Sequence, residues 1–421
     1  MPELLITRLR QRLIDKPPYF KYRKEVFYYI VHQLIIIEQI RKKEEYHVLN
    51  KSKLRDVTIC DPYKYIKYLE NGEFIISDNK HQRGKKSKWY KINEKLKQGV
   101  IKVVLEPTSK LYKAIIKFQR KRRAHFNRLA PHLKLMKDKF MGMELDYSRA
   151  YKWAERCPET AKRYSYITTI NNIEDKRFRY FKRNKTNNRL DTNLTNLKSD
   201  LRQYMIGDFV SIDVRNSQPF LLAILLQSIL YPKGTLCWYL QEGNLAKTFG
   251  IRVIERIVLV HQKQEKAEMV NFRSFQDSVV QGQLYDNFIE LHSGNIERCQ
   301  AKEIMFEVLF SQNTIYKHGG KFIPYKEDKR IFARSYPFVA QAVKDLKSKN
   351  HKILPIYLQQ LESYLFIDRI AKELVENGVI PFTIHDSVIV NASDQEKTLG
   401  IMTKLFKEEL GLVPALDIKK M

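Results

Sequence analysis

Apolar and polar residues alternate at two spacings along the chain, and these spacings predict where helices and strands lie. Apolar residues recur at helical spacing over 22–44 and over 61–72, and the second predicted helix ends at Gly72 as its C′ residue. Residues 73–78 and 88–93 alternate at strand spacing instead. The beginning of the chain is therefore predicted to hold two helices followed by a hairpin.

The turn of this predicted hairpin is basic, with a glycine among its cations Arg83, Lys85, Lys86 and Lys88. Helices followed by a basic hairpin favour a winged-helix-like DNA-binding module over residues 1–95, in which the tip of the hairpin contacts duplex DNA. A small α+β packing module, whose charged tip is only a solvated turn, fits the same pattern.

Residues 96–185 are basic and rich in tyrosine, and their apolar spacing predicts helices over 111–129, 147–157 and 178–185. Lysine, arginine and aromatic side chains interleave here. Such a surface suits contacts with phosphates and stacking on bases, although aromatic residues at helical spacing also pack into cores. From residue 186 to 421 the predicted order changes to strand, helix, long helical region, strand and helix.

The composition narrows the class of partner. Lys and Arg number 76 against 47 Asp and Glu, a formal net charge of +29 that is spread along the whole chain. This surplus favours a polyanionic partner, with a merely basic solvated surface as the alternative. The four cysteines form no CxxC pair, so we expect neither a zinc knuckle nor a disulfide framework, and a cytoplasmic location. No signal peptide or membrane-spanning run is recognised.

Two aspartates stand where short apolar strands end. Asp213 ends the alternating segment 208–213, and Asp386 lies with His385 at the predicted turn of a hairpin over 382–390. An aspartate at a strand end is usually a cap, so each signal is weak alone. Two such carboxylates can together bind a pair of Mg²⁺ ions, the usual apparatus of nucleotidyl transfer.

A third element strengthens this interpretation. The predicted helix over 298–310 carries Arg298, Lys302, Phe306 and Phe310 at intervals of four, so all four lie near one face. The cations suit a triphosphate, and the aromatic rings suit the sugar and base of a nucleotide. An amphipathic helix with two surface cations and two core aromatic residues fits the same spacing.

With these residues in this order, the chain resembles the family A DNA polymerases and their relatives, the single-subunit phage-type RNA polymerases. Asp213 matches motif A of that family, the helix beginning at Arg298 matches motif B, and His385 with Asp386 matches motif C. The resemblance covers residues 186–421 and extends to the last strand, near the end of the chain.

The resemblance implies an α+β fold with an antiparallel palm sheet, helical fingers and a thumb-like region over 96–185. It implies two-Mg²⁺ catalysis, in which Asp213, Asp386 and the backbone carbonyl of Val214 hold the metals. It also implies that Arg298 and Lys302 bind the phosphates of the nucleotide. Contacts with primer and template are implied for His385, Arg189, Arg202 and Gln359 or Gln360.

The resemblance also bears on the choice of sugar. Gln218 stands five positions after Asp213, where the family checks the ribose 2′ position, and a bulky residue there is typical of DNA polymerases. Phe310 lacks the hydroxyl that the RNA polymerases use to favour ribose. Ser387, which follows the motif C pair as in the RNA polymerases, points the other way. Gln218 and Phe310 thus favour dNTPs, whereas Ser387 lies further from the position that checks the sugar.

The sequence thus favours a small, template-dependent DNA polymerase without a proofreading exonuclease, whose partners are a DNA primer-template and nucleoside triphosphates. A single-subunit RNA polymerase or primase is one alternative. A non-catalytic DNA-binding replication initiator with a degenerate polymerase fold is another. The architecture suits a mobile element, plasmid or phage, and the absence of a Walker A pattern argues against an ATPase.

Overall fold

The computed structural model divides the chain into two compact units. Unit 1 comprises Met1–Leu129, Met143–Tyr180 and Asn196–Ile206, and unit 2 comprises Ala130–Gly142, Phe181–Thr195 and Gly207–Met421. The division into 1–95, 96–185 and 186–421 stays a prediction. The structure describes residues 1–40, 45–80, 88–99, 101–123, 129–232, 237–266, 272–292, 296–313, 316–318, 321–323 and 327–421.

Unit 1 is mostly helical. Its helices and strands are α1 (Glu3–Asp15), α2 (Lys24–Ile40), α3 (Lys51–Thr58), α4 (Pro62–Asn71), β1 (Ile75–Ser77), β2 (Tyr90–Ile92), α5 (Lys110–Arg123), α7 (Tyr147–Glu155), α8 (Thr160–Glu174) and α9 (Ser199–Arg202). Short 3₁₀ turns cover Glu94–Leu96 and Lys176–Phe178.

The predicted hairpin is present in unit 1, where β1 pairs antiparallel with β2 and Ile75 lies opposite Ile92. His47 adds an isolated bridge to Tyr90. The side chains of the first helices and of this hairpin share one core with Tyr164 of α8. The winged-helix interpretation of this arrangement stays a prediction.

Gly72 does not have the role that the sequence predicted. It caps α4 with a φ of −94°, and the left-handed conformation falls on Glu73. A Cβ at position 72 would lie 2.6 Å from a ring carbon of Phe74 and 2.9 Å from Nε of Arg12. The glycine therefore permits a close approach of two side chains, and it is not needed for a left-handed turn.

Unit 1 also contains a cavity of about 750 Å³ between α2, α5, α8 and the segment 101–105. Apolar and aromatic side chains line it together with His32, Asn171 and Asn172. Burial, with a smaller contribution from the N-terminal ammonium, lowers the pKa of His32 to about 4, so its ring is neutral at neutral pH. Of the predicted site residues that the structure describes, none lines this cavity.

Unit 2 contains the remaining elements in the described part of the chain. They are α6 (Pro131–Gly142), β3 (Phe181–Arg183), β4 (Leu190–Thr192), β5 (Phe209–Val214), α10 (Ser217–Leu230), α11 (Glu242–Phe249), α12 (Ile251–Lys266), α13 (Phe272–Val280), α14 (Leu284–Leu291), α15 (Arg298–Phe310), β6 (Tyr316–His318), β7 (Lys321–Ile323), α16 (Glu327–Ser335), α17 (Pro337–Leu346), α18 (Ile353–Ser363), a π-helical segment (Tyr364–Ile370), α19 (Ala371–Glu376), β8 (Phe382–Ile384), β9 (Ser387–Asn391), α20 (Gln395–Leu410) and β10 (Leu416–Lys420). Short 3₁₀ turns cover Trp238–Leu240 and Ala392–Asp394.

The largest sheet in the described residues has four strands in the order β10-β5-β9-β8, and all neighbours are antiparallel. Helix α10 follows β5 directly and is apolar on nearly every side. A helix that is apolar all round belongs in a core, and most of its side chains are buried. The predicted α+β class with an antiparallel sheet is confirmed, while the palm, fingers and thumb assignments stay predictions.

The helical prediction for 178–185 is wrong. Residues Phe181–Arg183 form strand β3, which pairs antiparallel with β4, and Phe181 lies opposite Thr192. The segment alternates over too few residues for strand periodicity to be visible in the sequence. In the described part of the chain, no helix is both long and apolar enough to cross a membrane.

Candidate functional site

The four-stranded sheet brings Asp213 and Asp386 to the same end of unit 2. Asp213 lies opposite Ser387, the first residue of β9, and Asp386 immediately precedes it. The backbone N–H of Val214 donates to the carbonyl of Asp386 at 3.2 Å. The turn between β8 and β9 is tight, because His385 adopts a φ of 54° and exposes its side chain. The strand carrying Asp213 runs one residue beyond it, to Val214.

Asp386 lies in a partly buried setting. Burial raises the pKa of its carboxyl group, although its own backbone N–H, the charge of Arg189 and a hydrogen bond from Ser217 all lower it. Ser217 is the first residue of α10, so the turn after β5 supplies this hydroxyl. A carboxylate whose charge is opposed by burial gains from a nearby cation.

Asp213 is half-buried, as Asp386 is, and lies beside the carboxylate of Asp417, which is 32% exposed. Residues that pair directly across antiparallel strands point to the same face, so Asp213 shares a face with Ser387 and with Asp417 of β10. Asp417 accepts an ion pair from Lys419 at 2.9 Å and one from Arg215 at 3.5 Å. Its hydrogen bond with Lys419 lowers the pKa of Asp417. Cations therefore already surround this end of the sheet.

A buried acidic residue of α18 lies behind Asp386. Glu362 is 1% exposed and accepts two hydrogen bonds from Arg189, Nε to Oε1 and Nη2 to Oε2, each of 2.8 Å. Gln218 of α10 also donates from Nε2 to the same carboxylate. The pKa of Glu362 is raised to about 7, mainly by burial; the charge of Arg189 opposes this rise and that of Asp386 adds to it.

Helix α15 presents its two cations to an aromatic ring near Asp386. The guanidinium carbon of Arg298 lies 5.8 Å from the ring centre of Tyr285, and Lys302 Nζ lies 5.7 Å from it. Arg298 also forms an ion pair with Asp286. Burial raises the pKa of Tyr285, the charge of Arg298 lowers it, and the charge of Asp386 raises it. Tyr285 thus interacts electrostatically with both α15 and Asp386.

The second half of the same helix carries the aromatic pair. Phe306 and Phe310 stack with ring centres 4.9 Å apart, and Phe306 is 64% exposed. The end of α15 is held by buried lysines: Lys347 Nζ donates to the carbonyl of Val308 at 2.7 Å, and Lys329 donates to that of Gln312. Cations suit the carbonyl end of a helix. Burial lowers the pKa of Lys347 to about 7.

Gln359 and Gln360, which were predicted to contact the primer-template, lie beside the segment 186–187 that precedes β4. The amide of Asn187 donates to Gln359 at 3.0 Å, and Gln360 donates to the carbonyl of Thr186 at 2.8 Å. The structure thus brings the segment before β4 against α18. Arg202 belongs to unit 1, where it donates to the carbonyl of Leu197 at 3.2 Å.

The basic hairpin tip is described only in part. Lys88 forms an ion pair with Glu70 at 2.9 Å. Arg83, Lys85 and Lys86 lie outside the described residues. The DNA-binding role of these four cations stays a prediction.

Sequence reasoning gave no role to Glu362, Ser217, Tyr285 or Asp417. One signal was present for Glu362, because it is the acidic residue in an otherwise apolar and amide stretch of α18. A charge in such a stretch must be paired if it is buried. For the other three residues, only the folded chain reveals their position.

The donor set at the end of the sheet is compatible with Mg²⁺. Carboxylate and carbonyl oxygens are the ligands that Mg²⁺ prefers, and this ion commonly uses one or two carboxylates with water and substrate phosphates. Among the described residues there is no cluster of three or more His, Cys, Asp or Glu able to hold a metal. Asp213 and Asp386 could supply carboxylate oxygens to such an ion, with water and substrate phosphates as the remaining ligands.

Comparison with known proteins gives little similarity. No protein-family model matches the chain, and neither does any curated protein. Among solved structures, it is similar to the POL domain of Pol1 from M. smegmatis in complex with DNA primer-template and dNTP, at 8% identity and a TM-score of 0.27. That match covers 62% of this chain and 52% of the other, so the chain spans about half the length of its match.

Proposed function

We propose that this chain catalyses template-directed nucleotidyl transfer and acts mainly as a DNA polymerase. The observation that carries the proposal is the pairing of β5 with the β8–β9 hairpin, which brings Asp213 and Asp386 to one end of one sheet. The electrostatic coupling of Tyr285 with both Arg298 and Asp386 supports a single site that includes α15.

Asp213 and Asp386 would hold Mg²⁺ through their carboxylates, together with the carbonyl of Val214. Bound there, Mg²⁺ would lower the pKa of a primer 3′-hydroxyl and offset the charge of the triphosphate. The protein's own contribution is to hold two carboxylates a fixed distance apart on hydrogen-bonded strands. Because β9 and β5 share a continuous ladder, neither carboxylate can move far without breaking the sheet.

The exposed cations of α15 supply the second part of the proposal. Arg298 and Lys302 are exposed and lie on the side of α15 that faces Tyr285. As the primer oxygen bonds to the α-phosphorus, the bond to pyrophosphate breaks and negative charge develops on the leaving group. Fixed ammonium and guanidinium groups stabilise that charge more than they stabilise the bound nucleotide.

The sugar and base would lie against Gln218, Phe306 and Phe310. The exposed ring of Phe306 has a free face for a base to stack on, an interaction worth roughly 1–3 kcal/mol. Gln218 follows β5 closely, and its bulk would exclude a 2′-hydroxyl. We therefore expect dNTPs to be preferred over rNTPs.

The nucleic acid would be held by the basic surface and by the residues proposed to contact the primer-template. The formal charge of +29 supports binding of a polyanion. Sequence-independent contacts from unit 1 would increase affinity without contributing to chemistry. The residues proposed for the primer-template are His385, Arg189, Arg202, Gln359 and Gln360.

Extension of a labelled primer-template tests the proposal. The wild type should incorporate dNTPs in the presence of Mg²⁺, and chelation with EDTA should stop the reaction. Asp213→Asn and Asp386→Asn should each lower the rate by at least about 1000-fold while binding of the primer-template persists. Asp208→Asn is the matched control, because Asp208 is exposed and precedes the opposite end of β5.

Three outcomes would change the interpretation. Substantial Mg²⁺-dependent activity in either aspartate variant would overturn the assignment of the two carboxylates. Preference for rNTPs, or synthesis without a primer, would favour an RNA polymerase or primase. Binding of the primer-template without incorporation of any nucleotide would favour a non-catalytic DNA-binding protein.

A further inference from the structure

Arg189 and Gln218, both half-buried, surround the buried carboxylate of Glu362, and we call these three residues the Glu362 clamp. The carboxylate lies on α18, accepts two hydrogen bonds of 2.8 Å from Arg189, and accepts another from Nε2 of Gln218. It is 1% exposed. A buried carboxylate needs such donors, since transfer of an unpaired charge from water to the interior is strongly unfavourable. The clamp therefore joins three separate elements of unit 2 through one charge.

The clamp also determines how the amide of Gln218 is oriented. An amide has a donor nitrogen and an acceptor oxygen, and an ionised carboxylate can only accept. When Glu362 is ionised, as it largely is at pH 8, Nε2 must therefore face it, because the opposite orientation would place two oxygens together. In the described part of the chain, Oε1 of Gln218 is buried without a hydrogen-bond partner. The bond to Glu362 is thus the polar contact that fixes this side chain.

The position of the clamp relative to Asp386 gives it a functional consequence. Asp386 interacts electrostatically with both Arg189 and Glu362, and it accepts a hydrogen bond from Ser217, the neighbour of Gln218. Gln218 is therefore held within the immediate surroundings of a proposed catalytic carboxylate. A side chain that excludes a hydroxyl must stay in place, since a mobile amide would leave room for it.

We propose that Glu362 is a positioning residue for sugar selection: it fixes the amide of Gln218 in the orientation that excludes a ribose 2′-hydroxyl. The inference rests on the proposed function, because it requires Gln218 to face the sugar of an incoming nucleotide. Glu362 itself does not contact the substrate. It acts through Gln218, and its effect on the sugar should disappear when Gln218 is absent.

The test compares rNTP and dNTP incorporation by full-length variants on one primer-template. Glu362→Gln retains the size of the side chain but offers an amide that can both donate and accept, so it no longer forces the orientation of Gln218. We expect the ratio of rNTP to dNTP incorporation to rise about fivefold to tenfold, the loss expected for one hydrogen bond. Gln218→Ala should raise it at least as much.

The double variant separates positioning from a general structural effect. In the Gln218→Ala background, Glu362→Gln should leave the ratio unchanged. Asp368→Asn is the matched control, because it breaks a two-bond ion pair with Arg183, each bond 2.7 Å, in the same unit without contacting Gln218. The control should keep the wild-type ratio. An equal rise in the control, or an additive effect in the double variant, would overturn the inference.

Unfolding by denaturant distinguishes failure of the clamp from failure of the proposed function. The shift of the unfolding midpoint in the double variant should be smaller than the sum of the single shifts if Gln218 and Glu362 interact. An inactive wild type with additive shifts would overturn both proposals. An inactive wild type with non-additive shifts would overturn the proposed function, and the sugar role that rests on it, while the contact between Glu362 and Gln218 would stand. An active wild type with an unchanged ratio in Glu362→Gln would overturn the inference alone.

Discussion

The candidate site has one half around Asp386 in which the carboxylate of Glu362 is buried, with 1% exposure, and another around Asp213 in which the side chain of Asp417 is 32% exposed. We call them the buried half and the open half. In the buried half, desolvation dominates and raises the pKa of both Asp386 and Glu362. In the open half, hydrogen bonding to Lys419 dominates and lowers the pKa of Asp417. Carboxylates within one unit, on α18, before β9 and on β10, thus experience opposite influences. Burial, more than the number of nearby cations, therefore determines whether the pKa of a carboxyl group in this site is raised or lowered. A buried carboxylate depends more on a paired cation than an exposed one does.

Removal of Arg189, the ion partner of the buried Glu362, should have the largest effect on stability. Arg189→Ala leaves Glu362 without its ion partner, and breaking one side of a buried pair destabilises a protein by about 3–5 kcal/mol. Arg215→Ala removes one of the two ion partners of Asp417 in the open half, where an exposed pair contributes roughly 0–1 kcal/mol. Denaturant unfolding at pH 8, where Glu362 is largely ionised, measures both. Equal losses in the two variants would show that burial does not distinguish the halves.

The stability of the two halves should also depend on pH with opposite signs. The pKa of Glu362 is raised to about 7, so the folded state binds more protons than the unfolded state between the ordinary carboxyl pKa and that value. Its stabilising contribution is present at low pH and is lost as pH rises to about 7, by at most about 3 kcal/mol. The lowered pKa of Asp417 acts the other way, with stability lost as pH falls.

Glu362→Gln isolates the contribution of the buried half. The free energy of unfolding, measured in EDTA between pH 5 and 8, should fall less steeply with pH in this variant than in the wild type. Asp417→Asn should leave the slope in that range unchanged, because Asp417 is already ionised there. If Glu362→Gln has the same slope of unfolding free energy against pH as the wild type, then a group other than Glu362 causes that slope.

The sequence predicted the strands of the site well because their patterns are local. Strand β5, the hairpin of β8 and β9, and helix α15 each show clear alternation or helical spacing within their own segment. The β3–β4 hairpin was missed because three alternating residues carry almost no periodic signal. Length alone does not decide this, because the three-residue strands β1, β2 and β8 were predicted, whereas β3 and β4, of the same length, were not.

The sequence could not predict how the site is assembled. The hydroxyls of Ser211 and Ser387 lie 3.0 Å apart although 176 positions separate them. Arg189 and Glu362 are separated by 173 positions and form the central ion pair of the clamp. Such pairings depend on strand register and helix packing across the whole unit. Asp213 and Asp386 were predictable as residues, but the clamp behind Asp386 was not.

Truncation of the two cations of α15 should have an effect of intermediate size, and it should change the use of the nucleotide and not the stability of either half. Lys302 and Arg298 are exposed, so their truncation should hardly change stability. Lys302→Ala should raise the nucleotide KM or lower kcat by about 10- to 100-fold, as for loss of one charged hydrogen bond. Arg298→Ala should have a smaller effect, since its guanidinium is already paired with Asp286.

Steady-state kinetics at saturating primer-template measure this effect. Lys404→Ala is the matched control, because Lys404 is exposed on α20 and lies 4.0 Å from Glu408 of its own helix. The control should keep wild-type kinetics. If both α15 variants behave like the control, the helix has no contact with the triphosphate.

The smallest expected effect is a salt-dependent change in the free energy of unfolding. It distinguishes the exposed ion pairs of the open half from the buried carboxylate of the other half most directly. Asp417→Asn weakens only exposed ion pairs, so it should reduce the free energy of unfolding by less than about 1 kcal/mol at low ionic strength. At about 1 M salt the screening length is roughly 3 Å, so this small loss should disappear. The loss caused by Arg189→Ala should persist at the same salt concentration, because the charge of Glu362 lies out of contact with mobile ions. Paired unfolding curves at low and high salt measure both losses. If salt removes the Arg189→Ala loss as well, then Glu362 is hydrated in solution and the two halves do not differ.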